Sequence, residues 1–197
     1  MEVLQKILEV LQQMLQTLML AEGKVLLFIQ DYLRFPIVDD VMLFITKLGD
    51  KGIIWIVLGV IFLIPRKTRR AAILSLVALA CAHLLCNEVL KEYVARIRPY
   101  EVVEGLSILI AKPSDYSFPS GHAMCSFAAA IVYFRHQPRR LGVPMLVLAI
   151  LIAASRLYIG VHYPSDVIIG AFLGTIIAVV FILIFGKRNK KMKKRRL

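Results

Sequence analysis

Five apolar runs, at residues 52–65, 71–90, 123–134, 141–159 and 167–185, are joined by short polar connections. A chain patterned in this way has little choice of solvent. Its 59% hydrophobic content and mean hydropathy of +0.74 exceed what a soluble domain of 197 residues has core volume to hide. About 20 helical residues cross the roughly 30 Å of bilayer hydrocarbon, so the shorter runs need flanking turns or tilt. The pattern predicts an all-α, polytopic membrane helix bundle in which reactive groups are confined to short loops and helix ends.

Residues 1–20 place Leu4, Ile7, Leu8, Leu11, Leu15 and Leu18 at three- and four-residue spacing among Gln and Glu. That spacing predicts an amphipathic helix resting on the membrane or on a partner helix. The mixed pattern continues over 24–48, broken by Pro36 and by Asp39 and Asp40. The chain thus divides into an N-terminal amphipathic interfacial region (1–48), a membrane domain (49–186) and a basic tail (187–197).

The net charge of +12 is clumped rather than spread over one polar face, which argues against a nucleic-acid partner. Segments 66–70, 135–140 and 187–196 hold four, three and eight Lys or Arg residues. Strict alternation of the five runs puts all three on one side, which the positive-inside rule makes cytoplasmic. Loops 91–122 and 160–166 then face outward. Either one crossing within 1–48 or none satisfies this alternation, so five and six spans both stand. The expected location is the plasma membrane, with a cytoplasmic C-terminus. The first 20 residues lack the basic start, continuous apolar stretch and cleavage site of a signal peptide. Cys81, Cys86 and Cys125 lie inside apolar runs without a metal-ligand spacing and read as small hydrophobes.

The outward loops hold nearly everything reactive. Lys91, Arg96 and Arg98 follow an apolar helix that Pro99 is expected to stop, and alone they suit interfacial anchors as well as an anion site. Pro119-Ser120-Gly121-His122 leads into the next helix, where Ser120 can cap and the Gly121 backbone can approach an anion beside His122. Arg156 sits so near the membrane that it needs a partner or a polar cavity. His162 and Asp166 are four apart and share a face if the stretch is helical across Pro164. A carboxylate on one ring nitrogen would fix the tautomer and sharpen the other nitrogen as a nucleophile. Together these groups offer cations for three phosphoryl oxygens, with one histidine as nucleophile and the other as acid. No acidic cluster stands near to hold Mg²⁺ or Zn²⁺, so no metal and no cofactor is expected.

The segments Lys91-x6-Arg98-Pro99, Pro119-Ser120-Gly121-His122 and Ser155-Arg156-x5-His162-x3-Asp166 resemble the three-part signature of the type-2 phosphatidic acid phosphatase superfamily, which includes vanadium haloperoxidases. The resemblance implies that Lys91, Arg98 and Arg156 bind phosphate oxygens, with Ser120 and the Gly121 backbone completing the cradle. It implies that His162, held by Asp166, attacks phosphorus. His122 would protonate the departing oxygen and then activate water against the phosphohistidine. Arg96 falls outside the signature and receives no role.

The expected activity is a membrane lipid phosphatase acting on a lipid phosphate or diphosphate, with undecaprenyl diphosphate favoured. Phosphatidylglycerophosphate or phosphatidic acid is the second choice, and a non-catalytic membrane protein that binds or transports an anion is the reading from another class. The partners are thus the lipid phosphate and the bilayer, and the sequence does not reveal an oligomeric state. Loop 100–116, with its apolar stretch at 106–111, is a candidate lid or lipid-entry surface.

Overall fold

The computed structural model of the chain describes residues 2–185, with the backbone alone at residues 2–4, 8, 11, 12 and 15. The basic tail at 187–197 and the side chains of Leu4, Leu8, Leu11 and Leu15 lie outside the described residues. Among the described residues there are nine α-helices and no strand. Helices α1 (Glu2–Leu33) and α2 (Pro36–Gly49) are separated where Phe35 turns extended and Pro36 opens α2. Proline suits that first position, where its missing N–H has no helical acceptor to satisfy, and it disfavours helix in the residue before it. Residues 2–33 therefore form one continuous helix about 48 Å long.

A 3₁₀ turn at Asp50–Gly52 leads to α3 (Ile53–Leu63). Helix α4 (Arg69–Leu84) runs through a π-helical stretch, Leu85–Leu90, into α5 (Lys91–Val94). After the single turn of α6 (Pro99–Val102) and a long loop come α7 (Gly121–His136), α8 (Arg139–Tyr158) and α9 (Pro164–Phe185). Each of the five apolar runs is a helix. The stretch Arg69–Val102, whose continuous helix ends at Val94, and the helices Arg139–Tyr158 and Pro164–Phe185 are long and apolar enough to cross a membrane. Helices α3 and α7, at 11 and 16 residues, fall short of the roughly 20 a full crossing needs.

Helix α7 is the centre of the bundle, packed against α9, α8 and α4. Its sequence explains why: Ala123, Ala128, Ala129 and Ala130 let neighbouring backbones approach, and all are fully buried. The α7–α9 contact is the closest. A Cβ at Gly174 would lie 2.2 Å from the Met124 carbonyl oxygen, and one at Gly170 would lie 2.7 Å from that of Ser120. Trp55 of α3 is buried and donates from Nε1 to Ser126 Oγ of α7 at 2.9 Å, which satisfies its one polar atom. The outward faces are apolar, with Phe172 and Leu183 of α9 well exposed, as suits a lipid solvent. The candidate lid stretch packs inward: Leu106 is buried, and residues 108–110 are half-buried against Tyr158, Ile159 and Val161.

Gly174→Ala is expected to lower thermal stability in detergent by the equivalent of about 1–3 kcal/mol, because backbone must move to admit the methyl group. Leu183→Ala, on the exposed face of the same helix, should change it far less. Equal effects would show that α7 and α9 do not depend on this close approach.

Candidate active site

The cations come from the end of the long α4–α5 helix. Ala95 ends it in the left-handed conformation (φ 48), its N–H donating to the Lys91 carbonyl at 2.9 Å. The helix thus stops before the position expected of Pro99, which instead opens α6. Residues 95–98 run outside any helix and carry two arginines inward. Lys91 and Arg98 are 5% and 4% exposed, which removes the interfacial-anchor reading, since an anchor keeps its charge in water. Both are ion-paired to Asp115, on the loop before α7: Lys91 through Nζ, and Arg98 through Nη2 at 2.6 Å. Arg98 also donates from Nη1 to the Val161 carbonyl at 2.8 Å. Burial alone would lift the Asp115 carboxyl, but Lys91 and Arg98 hold it down to about 2.

Ser120 is the N-cap of α7 and is fully buried, with its hydroxyl accepting from the Ala123 N–H. A side chain at Gly121 would point toward Cys86 Sγ, Asn87 Oδ1 and Lys91 Nζ, so its absence leaves the backbone open on the cation side. His122 lies one residue further and directs Nε2 to Asp50 Oδ1 at 2.9 Å. Arg156, near the end of α8, is 4% exposed and donates from Nη1 to Thr46 Oγ1 of α2 at 2.6 Å, while its buried Nε has no partner.

Helix α9 begins at Pro164, so His162 precedes it and Asp166 is its third residue. The pairing therefore does not need a helix across Pro164. Asp166 reaches back in the manner of a capping box, with Oδ2 accepting the Tyr163 N–H at 2.9 Å. Oδ2 also accepts the Ser117 hydroxyl at 2.5 Å, and Oδ1 accepts Arg96 Nη1 at 2.6 Å. His162 Nδ1 faces the same Oδ2 at 3.6 Å, longer than a hydrogen bond. His162 is 2% exposed, and burial pushes its imidazole down to about 3; Asp166 works against that shift, Arg98 and Arg156 with it. The ring is therefore neutral near pH 7.

Lys91, Arg98, Gly121, His122, Arg156 and His162 line one cavity of about 290 Å³, with Ser120 and Asp166 fully buried. All eight residues singled out from the sequence are thus in or beside a single site, contributed by three stretches that the fold brings together. The sequence model of the PAP2 superfamily matches residues 71–190. The chain belongs to that superfamily. It is 33% identical over 154 residues to an undecaprenyl-diphosphatase of Sulfolobus acidocaldarius, covering 78% of this chain and 74% of that one. It is 33% identical over 178 residues to phosphatidylglycerophosphatase B of Bacillus subtilis, covering 83% and 81%. The crystal structure of a transmembrane PAP2-type phosphatidylglycerolphosphate phosphatase from Bacillus subtilis superposes with a TM-score of 0.70 at 28% identity, covering 89% of this chain and 88% of that one. This PAP2 protein is a membrane lipid phosphatase.

The site also holds residues to which the sequence reading gives no role. Arg96 joins Asp166 to Glu22 of α1, with Nη2 2.7 Å from Glu22 Oε2, and lies over the Tyr163 ring at 4.0 Å. Glu22 also accepts the Ser165 N–H at 2.6 Å. Asp115 lies in loop 91–122, and the alternation that turns this loop outward also starts the first run, beside Asp50, on the same side; that shared side is the signal that could have found both. Glu22, Thr46 and Ser117 carry no such signal.

Arg96→Leu leaves Glu22 and Asp166 unpaired in the interior and should destabilise the phosphatase by about 3–5 kcal/mol. Arg96→Lys, a point charge without the two-pronged fork, should fall between the two in unfolding measurements. Wild-type stability from Arg96→Leu would mean that the ion pairs do not form.

The buried imidazole sets a pH dependence. The unfolded chain protonates His162 near 6.5 and the folded chain near 3, so its contribution is fully present above 6.5 and lost as pH falls toward 3. His162→Gln should flatten that part of the stability profile in detergent; an unchanged slope would show that the ring is not held neutral.

Proposed function

We propose that this lipid phosphatase removes the terminal phosphate of undecaprenyl diphosphate through a phosphohistidine at His162. The observation that carries the reading is a buried imidazole backed by Asp166 and opening into a cavity with three buried cations. With Nδ1 turned to the carboxylate, Nε2 is the attacking atom. Lys91, Arg98 and Arg156 neutralise the equatorial oxygens, and Ser120 with the Gly121 backbone completes the cradle. An incoming phosphate takes Lys91 and Arg98 from Asp115, whose half-exposed carboxylate is free to turn to water. As the P–O bond breaks, the proton of His122 passes to the leaving oxygen. His122 then takes a proton from the water that displaces His162.

The substrate preference is supported by the Sulfolobus acidocaldarius relative, named for undecaprenyl diphosphate. The Bacillus subtilis relative supports phosphatidylglycerophosphate as the second reading. An extracytoplasmic site is supported by the order of residues along the helices. Arg69 and Arg70 open α4, whose continuation carries Lys91. His122 opens α7, which closes with Arg135, and Arg139 and Arg140 open α8, which closes with Arg156. The basic clusters thus occupy the helix ends opposite the site.

One purified sample assayed on undecaprenyl diphosphate, phosphatidylglycerophosphate and phosphatidic acid should show the highest kcat/KM on the first. Brief turnover of labelled substrate should leave acid-labile, base-stable label on the wild type and none on His162→Ala, with phosphate release abolished. Residual labelling of His162→Ala would remove the phosphohistidine assignment, and preference for a glycerophospholipid would replace the substrate.

A further inference from the structure

The segment joining α2 to α3 lies before residue 71, where the match to the family begins, yet it supplies a wall of the cavity: Gly49, Asp50, Lys51 and Gly52 all line it. Its backbone is unusual. Lys51 (φ 51) and Gly52 (φ 70) are both left-handed, and for a non-glycine residue that conformation costs about 1–2 kcal/mol. The turn so formed sets Asp50 Oδ1 2.9 Å from His122 Nε2. A carboxylate only accepts, so Nε2 carries the proton of this bond. The same edge of the ring rests on Gly49. A Cβ there would meet His122 Cδ2 at 2.7 Å and Ile152 Cγ2 at 2.6 Å, so position 49 has no room for a side chain.

Both contacts engage the Cδ2–Nε2 edge of His122. The opposite edge, with Nδ1, has no hydrogen-bond partner among the described residues. We infer that Asp50 is a positioning residue for the acid of the reaction: it anchors Nε2, presses the ring onto Gly49, and leaves Nδ1 as the nitrogen that transfers the proton. The inference rests on the acid role of His122 in the proposed function. In the first half-reaction the ring enters as the imidazolium, with a proton from solvent on Nδ1 beside the one on Nε2; the Nδ1 proton goes to the leaving oxygen as that oxygen parts from phosphorus and His162 Nε2 bonds to phosphorus, which leaves the ring neutral with Nε2–H still on Asp50. In the second, Nδ1 takes a proton from water as the water oxygen bonds to phosphorus and the P–N bond breaks. Asp50 keeps its own bond throughout and stabilises the ring whenever it is charged.

The site would then contain two His–Asp pairs of different build. Asp166 is fully buried and held by three other donors, whereas the Asp50 side chain is 53% exposed and comes from a turn. Loss of Asp50 should therefore spare the fold and reach the chemistry through His122.

The test separates acid catalysis from general damage by the leaving group. The kcat/KM of wild type, Asp50→Ala, Asp50→Asn and His122→Ala is measured on dioctanoyl phosphatidic acid and on p-nitrophenyl phosphate, in the same detergent. The alkoxide of the first must be protonated as it leaves; the nitrophenolate of the second departs without help. His122→Ala should lose about 10²-fold or more on the alkyl ester and much less on the aryl ester. Asp50→Ala should show the same selectivity with a loss of about tenfold, and Asp50→Asn, which still accepts a hydrogen bond, a smaller one. Orthophosphate inhibition, read by the cation cradle, should be unchanged in both Asp50 variants. An Asp50→Ala loss that is equal on the two esters, absent on both, or accompanied by weakened orthophosphate inhibition overturns the inference while leaving the acid role of His122 in place. If His122→Ala itself shows no leaving-group selectivity, the acid assignment fails and the inference fails with it.

Discussion

Asp166 is a carboxylate with no exposed surface in a bundle whose solvent is lipid. Left without partners there it would not remain ionised, because the desolvation of a buried charge outweighs most single contacts. Its partners come from four separate places: Arg96 after the α4–α5 helix, Ser117 in the long loop, the Tyr163 backbone at the start of α9, and His162 just before it. Its own backbone carbonyl accepts the Ser120 N–H at 3.0 Å, which joins the start of α9 to the start of α7. Glu22 extends the network to α1 through Arg96 and the Ser165 N–H. Satisfying one carboxylate therefore brings α1, α5, α7 and α9 into register around His162.

The cations are organised by the opposite logic. Lys91, Arg98 and Arg156 are as buried as Asp166, but the first two share a single, half-exposed carboxylate, and Arg156 is met by a hydroxyl. Three buried positive charges with so little fixed compensation leave a cavity that favours a multiply charged anion. Asp166 is locked among its donors behind His162, whereas Asp115 is half-exposed, and this contrast explains how a single pocket holds opposite charges close together. The buried one faces the His162 ring, and the half-exposed one compensates Lys91 and Arg98.

How much of this is legible in the sequence depends on how far apart the partners lie. The helices over the five apolar runs are readable because such runs report burial or lipid contact residue by residue. The eight signature residues are readable because each group of types recurs at short, fixed spacing. Asp50 and His122 are 72 residues apart, Glu22 and Arg96 are 74, and Arg156 and Thr46 are 110. No local pattern records such pairs, and Arg96 read alone is one more basic residue at a helix exit. The helix ended at Ala95 rather than at Pro99 because a left-handed alanine closed it first, and alanine carries no signal for that conformation. His162 and Asp166 needed no helix between them, because a capping carboxylate reaches back past a proline.

The close packing of α7 connects these levels. Glycines at 170 and 174 let α9 lie against the α7 backbone, and glycine at 49 lets the His122 ring settle between α2 and α8. Each is a position where a single methyl group would force backbone or ring to move, and each is adjacent to a group whose aim matters: Ser120 at the cap, His122 on the first turn, Asp166 one turn before Gly170. In water a bundle of this size would gain most of its stability from removing apolar surface. In lipid that gain is absent between helices, and close contact of small residues takes its place. The residues that hold the helices together are therefore the same ones that fix the distances in the site, so the stability of the bundle and the geometry of the two histidines are set by one set of contacts.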